Sequence, residues 1–444
     1  MIHQFSGRGL FVTLDVHSGA VHVMDETAYR LAGDAETMTD AQVLARHGDT
    51  PENREALAEL RELEQAGMLY TPDWYAGIPT PKADPVVKAL CLHVAHDCNL
   101  KCKYCFAGEG EYHGDRSLMP LEVGKAALDF LLTHSGNRTN LEVDFFGGEP
   151  LLNFEVVKQL VAYGREREKE FGKHFRFTIT TNGVLLDDDK IAYINENMDN
   201  VVLSIDGRPE VNDRMRPRAG GQGSYELLVP KFKKLVDARD PHKSHYIRGT
   251  YTRYNLDFDQ DVMHLADLGF TQISVEPVVA PPEADYSLRK EDIPALMESY
   301  DRLMEELTER PEVNFFHFQI DLSGGPCVKK LMSGCGSGTQ YLAVTPQGDL
   351  YPCHQFAGMP EFLMGNVWDG VTNLEKRKEF EDCNLYSKEE CKNCWAKFYC
   401  SGGCAANALH ASGTIMGAYP EGCALQKKRI ECAILLKAAQ MAEE

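Results

Sequence analysis

The stretch CNLKCKYC at residues 98–105 decides the fold of this chain, because it sets Cys98, Cys102 and Cys105 at the spacing C-x3-C-x2-C. Three thiolates packed this closely leave a four-ligand site one ligand short. A [4Fe–4S] cluster held by three cysteines keeps one iron open to another molecule. A structural zinc site is the alternative, but zinc prefers four closed ligands and pairs such as C-x2-C. The spacing therefore favours a cluster with one open iron.

The composition indicates a soluble globular chain of two or three domains, since 43% of its 444 residues are hydrophobic and 25% are charged. We find neither a membrane-spanning apolar run nor a signal peptide, so we expect a cytoplasmic protein with no membrane partner. Its 14 cysteines then point to clusters or metal rather than disulfides. The net charge of −21 argues against a nucleic-acid partner and leaves room for a basic or amphipathic peptide.

Residues 1–80 contain no cysteine and predict a small winged-helix-like domain. Its predicted elements are a hairpin of strands at 9–16 and 20–24 and helices that start at Asp25, after Asp40 and at Pro51. The third helix is acidic, which disfavours a winged helix that binds DNA. We therefore predict a peptide-binding module whose exposed strand edge accepts an extended peptide. The proline-rich stretch 71–85 predicts a linker.

Between residues 86 and 319, six strand-like runs each lead into a polar or glycine-containing loop and then a helical pattern. The runs are 88–95, 141–146, 175–180, 201–205, 245–251 and 271–275. This alternation predicts an α/β fold with a parallel sheet, and a site at the carboxyl ends of its strands. We predict an open (β/α)6 partial barrel.

With Tyr104 before its last cysteine, the C-x3-C-x2-C motif resembles that of the radical S-adenosylmethionine (SAM) superfamily. The resemblance implies that the open iron binds the amino and carboxylate groups of SAM. It further implies that one electron, from a flavodoxin or ferredoxin-like donor, cleaves SAM to a 5′-deoxyadenosyl radical that abstracts a substrate hydrogen.

The same resemblance assigns SAM contacts to residues near the strand ends. The sequence GGEP at 147–150 matches the motif that meets the SAM amino group, and Arg216 matches an arginine that pairs with the carboxylate. Arg214 and Arg218 stay open as alternatives to Arg216, and Asn182 is read as a ribose contact or a turn residue. The predicted contacts are Phe106, Gly147, Gly148, Glu149, Asn182, Ser204, Asp206 and Arg216.

A second cysteine array fills residues 320–444. Cys335 is followed by twelve residues, Gly348, four residues and Cys353, and the spacing C-x2-C-x5-C-x3-C follows at 391–404, with Cys423 beyond it. This pattern resembles the seven-cysteine SPASM domain of radical SAM enzymes that modify peptides and proteins. The resemblance implies two auxiliary [4Fe–4S] clusters, and so three clusters in all. It assigns their ligands as Cys335, Cys353 and Cys404 to the first set, and Cys391, Cys394, Cys400 and Cys423 to the second.

A fourth ligand for the first auxiliary cluster is left open. Cys327 and Cys383 are candidates, and the position alternatively stays open for a substrate thiolate. Cys91 and Cys432 lie in apolar or helical stretches and are read as ordinary thiols. Glu276, His354 and Asp349 are candidates for a general base near the strand ends, and none is assigned.

Across nearly its whole length the chain resembles the maturases of SCIFF (six-cysteine) peptides. The resemblance rests on LDVHSGAVHVMD at 14–25, RGTYTRYNLDF at 248–258, YPCHQF at 351–356 and CWAKFYCSGGCAANA at 394–408. It implies an N-terminal leader-binding (RRE) element, a cysteine-rich precursor peptide with a leader as partner, and thioether formation, as in ranthipeptide and sactipeptide synthases. A carbon–carbon cyclase and a formylglycine-generating sulfatase maturase are the rival enzymes. The acidic charge and the SAM motifs disfavour a redox sensor of DNA and a noncatalytic electron carrier.

Overall fold

The computed structural model describes residues 1–78, 86–112, 114–322 and 328–443. The predicted linker at 71–85 therefore lies partly outside the described residues, and Cys327 lies wholly outside them. No helix of the described residues is both long and apolar enough to cross a membrane.

Residues 1–78, named here the N-terminal module, form a three-stranded antiparallel sheet covered by three helices. The strands are β1 Ile2–Gly7, β2 Leu10–Asp15 and β3 Val21–Met24, in the order β1-β2-β3, and the helices are α1 Glu26–Ala35, α2 Asp40–His47 and α3 Pro51–Gln65. Asp25 caps α1 by accepting a hydrogen bond from Ala28 N at 2.8 Å, as its position before an apolar periodic run predicts. The predicted hairpin and all three helices are thus present.

Strand β1 was not predicted from the sequence, and α2 begins at Asp40 rather than after it. The segment IHQFSG alternates poorly, because polar residues occupy both faces. It becomes a strand because it pairs with β2 along its whole length and packs on a helix from the other end of the chain. Such tertiary support is invisible to a local pattern.

The six predicted strands between 86 and 319 are all present and form one parallel sheet. In chain order the strands here are β4 Ala89–His96, β5 Ser117–Leu118, β6 Asn140–Gly147, β7 His174–Thr181, β8 Asn200–Ser204, β9 Ser244–Tyr251, β10 Gln272–Pro277 and β11 Asn314–Phe315. The sheet order β11-β10-β9-β8-β7-β6-β4 is parallel throughout, and β5 adds one antiparallel pairing to β4. The connecting helices are α4 Leu121–His134, α5 Phe154–Phe171, α6 Asp188–Asn197, α7 Pro209–Met215, α8 Tyr225–Asp237, α9 Phe258–Asp267 and α10 Ile293–Thr308.

Side chains alternate strictly between the two faces of this sheet. In β6, Val143 and Phe145 are fully buried in the main core, whereas Asp144 lies between them and so points to the opposite, inner face. The helices therefore cover an apolar outer face, while polar residues can collect inside the partial barrel.

The C-terminal segment is joined to the barrel sheet, which the sequence did not predict. Its strands are β12 Tyr341–Val344, β13 Asp349–Tyr351, β14 Gly365–Asn366 and β15 Gly370–Val371. Strand β12 pairs in parallel with β4, so the barrel sheet continues into this segment. Its helices are α11 Val328–Ser333, α12 Leu374–Asp382, α13 Glu389–Lys392, α14 Lys397–Cys400, α15 Ala405–Ser412 and α16 Pro420–Glu443.

Strand β1 of the N-terminal module packs against helix α16 and against Trp395, which lies between α13 and α14. The ring of His3 stacks on Trp395 with centroids 3.7 Å apart, and its Nε2 lies 2.8 Å from Glu431 Oε1. A β-carbon on Gly7 would lie only 2.7 Å from Leu435 Cδ1, so β1 and α16 are in close contact. Edge strand β1 is thus covered, and β3 is the other edge of the sheet.

A second contact joins the module to the cysteine-rich segment. Lys397 Nζ lies 2.5 Å from Asp73 Oδ2, and the Lys397 side chain is only 1% exposed. Tyr386 Oη donates to the other Asp73 oxygen at 2.7 Å. Because Lys397 lies between Cys394 and Cys400, this ion pair fixes the module directly to the loop that carries those cysteines.

Replacing Asp73 by Asn should loosen this contact, because it leaves the buried ammonium of Lys397 without its counter-charge. We expect a local destabilisation of about 2 kcal/mol, measured as loss of hydrogen-exchange protection in residues 71–78. The double variant Asp73→Asn, Lys397→Met should be less destabilised than Asp73→Asn alone. Asp49→Asn is the control, since its exposed pair with Arg54 contributes little. Equal protection in Asp73→Asn and wild type would contradict this role.

Candidate functional site

The carboxyl ends of the barrel strands surround a cavity of about 330 Å³. Cys98, Cys102 and Cys105 all line it, on the loop that follows β4. The parallel order of the strands explains this placement, since their carboxyl ends all meet at one edge of the sheet. The cysteine triad and the loops predicted to bind SAM are thereby brought together.

The cysteine loop is held against the segment that follows α7. Lys101 N donates to Pro217 O and Lys103 N to Met215 O, each at 2.9 Å, and Leu100 pairs with Arg218 as an isolated bridge. These backbone bonds enclose Arg216, which lines the cavity. Three cysteines and one cavity-lining arginine therefore have fixed relative positions.

Burial raises the pKa of the Cys98 thiol to about 12 and that of Cys102 to about 11, with neighbouring thiols contributing in the same direction. Both thiols are therefore protonated at neutral pH without metal. Iron binding would displace these protons, because only the thiolate is a strong ligand. A buried soft donor set of three thiols fits a three-cysteine iron–sulfur cluster.

The two glycines of the 147–150 loop are required by close backbone approach. A β-carbon on Gly147 would overlap the carbonyl oxygen of Ala95, and one on Gly148 would overlap that of Asp97. Gly147 also has a φ of 131°, which favours glycine. The loop after β6 thus lies directly against the start of the cysteine loop, and both glycines line the cavity.

Glu149 is fully buried behind this loop and is not among the residues that line the cavity. Its carboxylate accepts hydrogen bonds from Leu151 N at 3.0 Å, Thr181 Oγ1 at 2.6 Å and Asn182 N at 2.8 Å. Burial raises its pKa to about 7, although these hydrogen bonds act in the opposite direction. In this arrangement Glu149 ties the loop after β6 to the loop after β7, and its direct contact with SAM stays a prediction.

Asp206 also lies behind the cavity wall. Tyr104 Oη donates to its carboxylate at 2.8 Å, and Arg216 Nη1 donates to the same tyrosine oxygen at 2.9 Å. Burial raises the pKa of Asp206 to about 6, while Arg216 lowers it. Tyr104 therefore links the cysteine motif to two predicted SAM contacts.

Arg216 is the arginine best placed for an anionic ligand. It is 8% exposed and its Nε has no hydrogen-bond partner among the described residues. Arg214 instead lies over the Tyr254 ring at 3.8 Å, and Arg218 donates to Gly223 O. Of the three alternatives, only Arg216 lines the cavity. An orphaned guanidinium nitrogen at this position fits a carboxylate.

The remaining predicted contacts, Phe106, Asn182 and Ser204, also line the cavity. Asn182 Nδ2 donates to Asn99 Oδ1 at 2.8 Å and lies 3.6 Å from Cys98 Sγ, so this residue joins the β7 loop to the cysteine loop. Phe106 is 41% exposed, with its ring 5.4 Å from that of His354. The eight predicted SAM contacts are therefore neighbours in space, and their roles stay predictions.

Several auxiliary thiols lie close enough to others of the same predicted set to interact electrostatically. Burial raises the pKa of the Cys353 thiol, and Cys404 and Cys335 raise it further. In the other group, burial raises the pKa of Cys400 to about 12, with additional repulsion from Cys423, Cys391 and Cys394. Cys353 and Cys400 thus each lie near other members of their own predicted set, and the assignment of the seven ligands stays a prediction. Two sets of soft donors fit two iron–sulfur clusters, whose number stays a prediction.

Cys383 adjoins the first set. Its half-buried thiol donates to Ile415 O at 3.3 Å, and the neighbouring Cys335 contributes to raising its pKa after burial, the larger cause. Since Cys327 lies outside the described residues, the choice between these two candidates stays open. Cys91 and Cys432 are fully buried, consistent with their interpretation as ordinary thiols.

A charged group lies inside the barrel, of which only Glu276 was predicted from the sequence, whereas Arg248 and Arg429 were not. Arg248 donates to Glu276 Oε2 at 3.2 Å, and both line the cavity together with Arg429 of α16. Burial acts to raise the pKa of Glu276, but Arg248, His317 and Arg429 outweigh it and bring the value to about 2. Glu276 is therefore a weak base. Arg248 could have been recognised from the sequence as a charged residue at an inward-facing position of β9. Arg429 could not, because it lies far from the barrel strands in the sequence.

The other candidate bases differ in position. His354 lines the cavity, and burial lowers its pKa to about 4, so the ring is neutral at physiological pH. Asp349 is absent from the residues that line the cavity. Its position in β13 gives no support for a role as base.

Comparisons with known proteins agree with this architecture. Residues 92–247 match the family model of the Radical SAM superfamily, and residues 335–395 match that of the SPASM iron–sulfur cluster-binding domain. The cysteine-type anaerobic sulfatase-maturating enzyme of Clostridium perfringens (strain 13 / Type A) is 26% identical over 341 residues, which cover 72% of this chain and 89% of that enzyme.

Two solved structures share the fold. The structure of anSMEcpe with bound AdoMet superposes with a TM-score of 0.67 at 22% identity, covering 80% of this chain and 95% of that one. Streptococcus suis SuiB bound to precursor peptide SuiA superposes with a TM-score of 0.51 at 16% identity, covering 92% of this chain and 95% of that one. The chain therefore combines, in one α/β fold, a segment that matches the radical SAM domain and a segment that matches the SPASM domain.

Proposed function

We propose that this chain installs thioether bonds between cysteine sulfur and a carbon atom of an acceptor residue in a cysteine-rich precursor peptide. One observation carries the proposal. Cys98, Cys102 and Cys105 line one part of the cavity, and His354, which directly follows the predicted auxiliary ligand Cys353, lines another part. A peptide in this cavity would meet the hydrogen-abstracting centre and the first auxiliary set at the same time.

The proposed reaction removes two hydrogens from the peptide for each bond. When bound, SAM and the reduced cluster supply a one-electron cleavage that creates the hydrogen-atom acceptor. The acceptor carbon gives a hydrogen atom to the 5′-deoxyadenosyl radical, which becomes 5′-deoxyadenosine. The cysteine thiol loses its proton, and formation of the S–C bond releases one electron. We assign that electron to the auxiliary clusters.

The N-terminal module suits a leader peptide. Because β1 is covered by α16, β3 is the edge that we propose pairs with an extended leader. Val23 in this strand is 54% exposed and would offer the leader an apolar contact. Leader binding would raise the effective concentration of the core peptide at the cavity.

Similarity to the Clostridium perfringens enzyme favours a second candidate, oxidation of one Cys or Ser of a sulfatase to formylglycine. A leader-binding module argues against it, because a sulfatase is a large protein rather than a short precursor. The match to SuiB includes most of this chain, whereas the match to anSMEcpe leaves a fifth of it uncovered. Carbon–carbon linkage is the third candidate, since it would use the same domains.

High-resolution mass spectrometry distinguishes the three candidates. The reconstituted enzyme is incubated anaerobically with SAM, a reductant and a cysteine-rich peptide encoded beside its gene, and the product is treated with a thiol-alkylating reagent. We expect paired hydrogen loss with matching loss of alkylatable thiols. Hydrogen loss with every thiol free would contradict thioether formation and indicate carbon–carbon linkage. Conversion of one Cys or Ser to an aldehyde would indicate the sulfatase maturase.

Replacing Cys98, Cys102 and Cys105 together by Ala should abolish 5′-deoxyadenosine formation and leave iron bound in the C-terminal segment. The reason is that the triad and the auxiliary cysteines are separate ligand sets. Iron per chain and deoxyadenosine are measured in parallel. Cys432→Ala, which removes a buried thiol outside all three sets, is the control and should keep SAM cleavage. Loss of all iron in the triple variant would show that the sets are interdependent.

Replacing Val23 by Asp should weaken binding of the full precursor about tenfold, because a charge is placed on the edge that meets the leader. Binding is measured by titration of labelled precursor. Ile78→Asp, at another exposed apolar residue of the module, is the matched control. Unchanged affinity in Val23→Asp would exclude β3 as the leader-binding edge.

A further inference from the structure

Lys388 is a buried cation without a carboxylate partner. The residue is 2% exposed, and among the described residues no aspartate or glutamate forms an ion pair with it. Its Nζ donates to the backbone oxygen of Gly402 at 3.0 Å. Lysine is almost never fully buried unless it is paired, because transfer of an ammonium out of water is costly. The protein must therefore offset this charge in another way.

The location of the ammonium indicates that thiolates of the predicted auxiliary clusters supply its counter-charge. Gly402 lies between Cys400, of the second predicted auxiliary set, and Cys404, of the first. The backbone oxygen of Lys388 also accepts a hydrogen bond from Cys391 N at 3.0 Å. Lys388 is thus fixed at both ends to segments that carry auxiliary ligands.

The hydrogen bond to Gly402 places the ammonium beside a loop shared by both sets. Gly402 is two residues from Cys400 and two residues from Cys404. The ammonium therefore lies next to the segment that joins ligands assigned to two different clusters.

We propose that Lys388 is a redox-positioning residue that raises the midpoint potentials of both auxiliary clusters and so makes them better acceptors of the electron released by the substrate. Clusters ligated by thiolates are anionic, and each gains a further negative charge on reduction. A buried cation beside the loop that carries ligands of both clusters stabilises the reduced forms most. The electron-accepting role rests on the proposed function, whereas the effect on potential does not.

Lys392 and Lys397, two other lysines near the second set, are unsuited to this role. Lys397 is neutralised by Asp73, and Lys392 is 41% exposed at its side chain and pairs with Glu389. Water and counter-charges screen such cations. Lys388 combines burial with proximity to both sets.

Midpoint potentials test the proposal on the cluster-loaded enzyme without peptide, by redox titration followed by electron paramagnetic resonance. Lys388→Gln removes the charge and keeps a hydrogen-bond donor. We expect both auxiliary potentials to fall, with at least a tenfold lower ratio of reduced to oxidised cluster at a fixed potential, or about 59 mV for one electron. Lys388→Arg keeps the charge and should stay near wild type. Lys392→Gln is the matched control and should shift neither cluster.

The outcomes separate charge from structure. Wild-type potentials in Lys388→Gln, or a shift no larger than in Lys392→Gln, would overturn the proposal, because the hydrogen bond to Gly402 would then be the whole role. If Lys388→Gln loses a cluster, retention of both clusters in Lys388→Arg supports the charge, and loss in both variants contradicts it. Since no peptide is present, absence of thioether formation would refute the proposed function without affecting this result.

Discussion

Burial of thiols opposes their ionisation, and the loops that carry the predicted cluster ligands have to overcome that opposition. Cys98, Cys102, Cys391 and Cys400 all have thiol pKa values raised to about 11 or 12, mainly by loss of solvent. Iron binding would supply the missing stabilisation of the thiolates, so that cluster assembly and folding of the loops are linked. Residues 328–412, where each helix has at most 9 residues and each strand at most 4, would be stabilised most by such links.

The sheet provides a rigid frame for these loops. Strand β4 pairs with β6 on one side and β12 on the other, so one strand carries the cysteine triad into the cavity and connects it to the segment of the auxiliary cysteines. Gly147 and Gly148 permit the close approach of neighbouring loops, and Glu149 ties the next loop to them. The N-terminal module is fixed to the same assembly through Asp73 and Lys397. All three parts of the chain therefore meet around one region.

Much of this architecture could be predicted from the sequence. The six barrel strands and the hairpin follow from periodicity, whereas the assignment of Cys335, Cys353 and Cys404 to one cluster rests on the resemblance to SPASM domains and stays a prediction. Strand β1, the continuation of the barrel sheet through β12 and the return of α16 could not be predicted, because each depends on contacts between residues far apart in the chain. The position of Arg429 inside the barrel could not be predicted either, because it depends on the packing of α16 against a distant part of the chain. Glu149 and Asp206 belong to predicted SAM-binding motifs but do not line the cavity. They hydrogen-bond instead to residues that do, Asn182 and Tyr104.

The most direct test of a peptide radical reaction is isotope transfer. A precursor peptide deuterated at carbon positions of its candidate acceptor residues is incubated with SAM and reductant, and the 5′-deoxyadenosine is analysed by mass spectrometry. Our account predicts deuterium in the deoxyadenosine in step with peptide modification, because the acceptor carbon gives its hydrogen directly to the SAM-derived fragment. Full modification with no deuterium in the deoxyadenosine, for any labelled position, would contradict it.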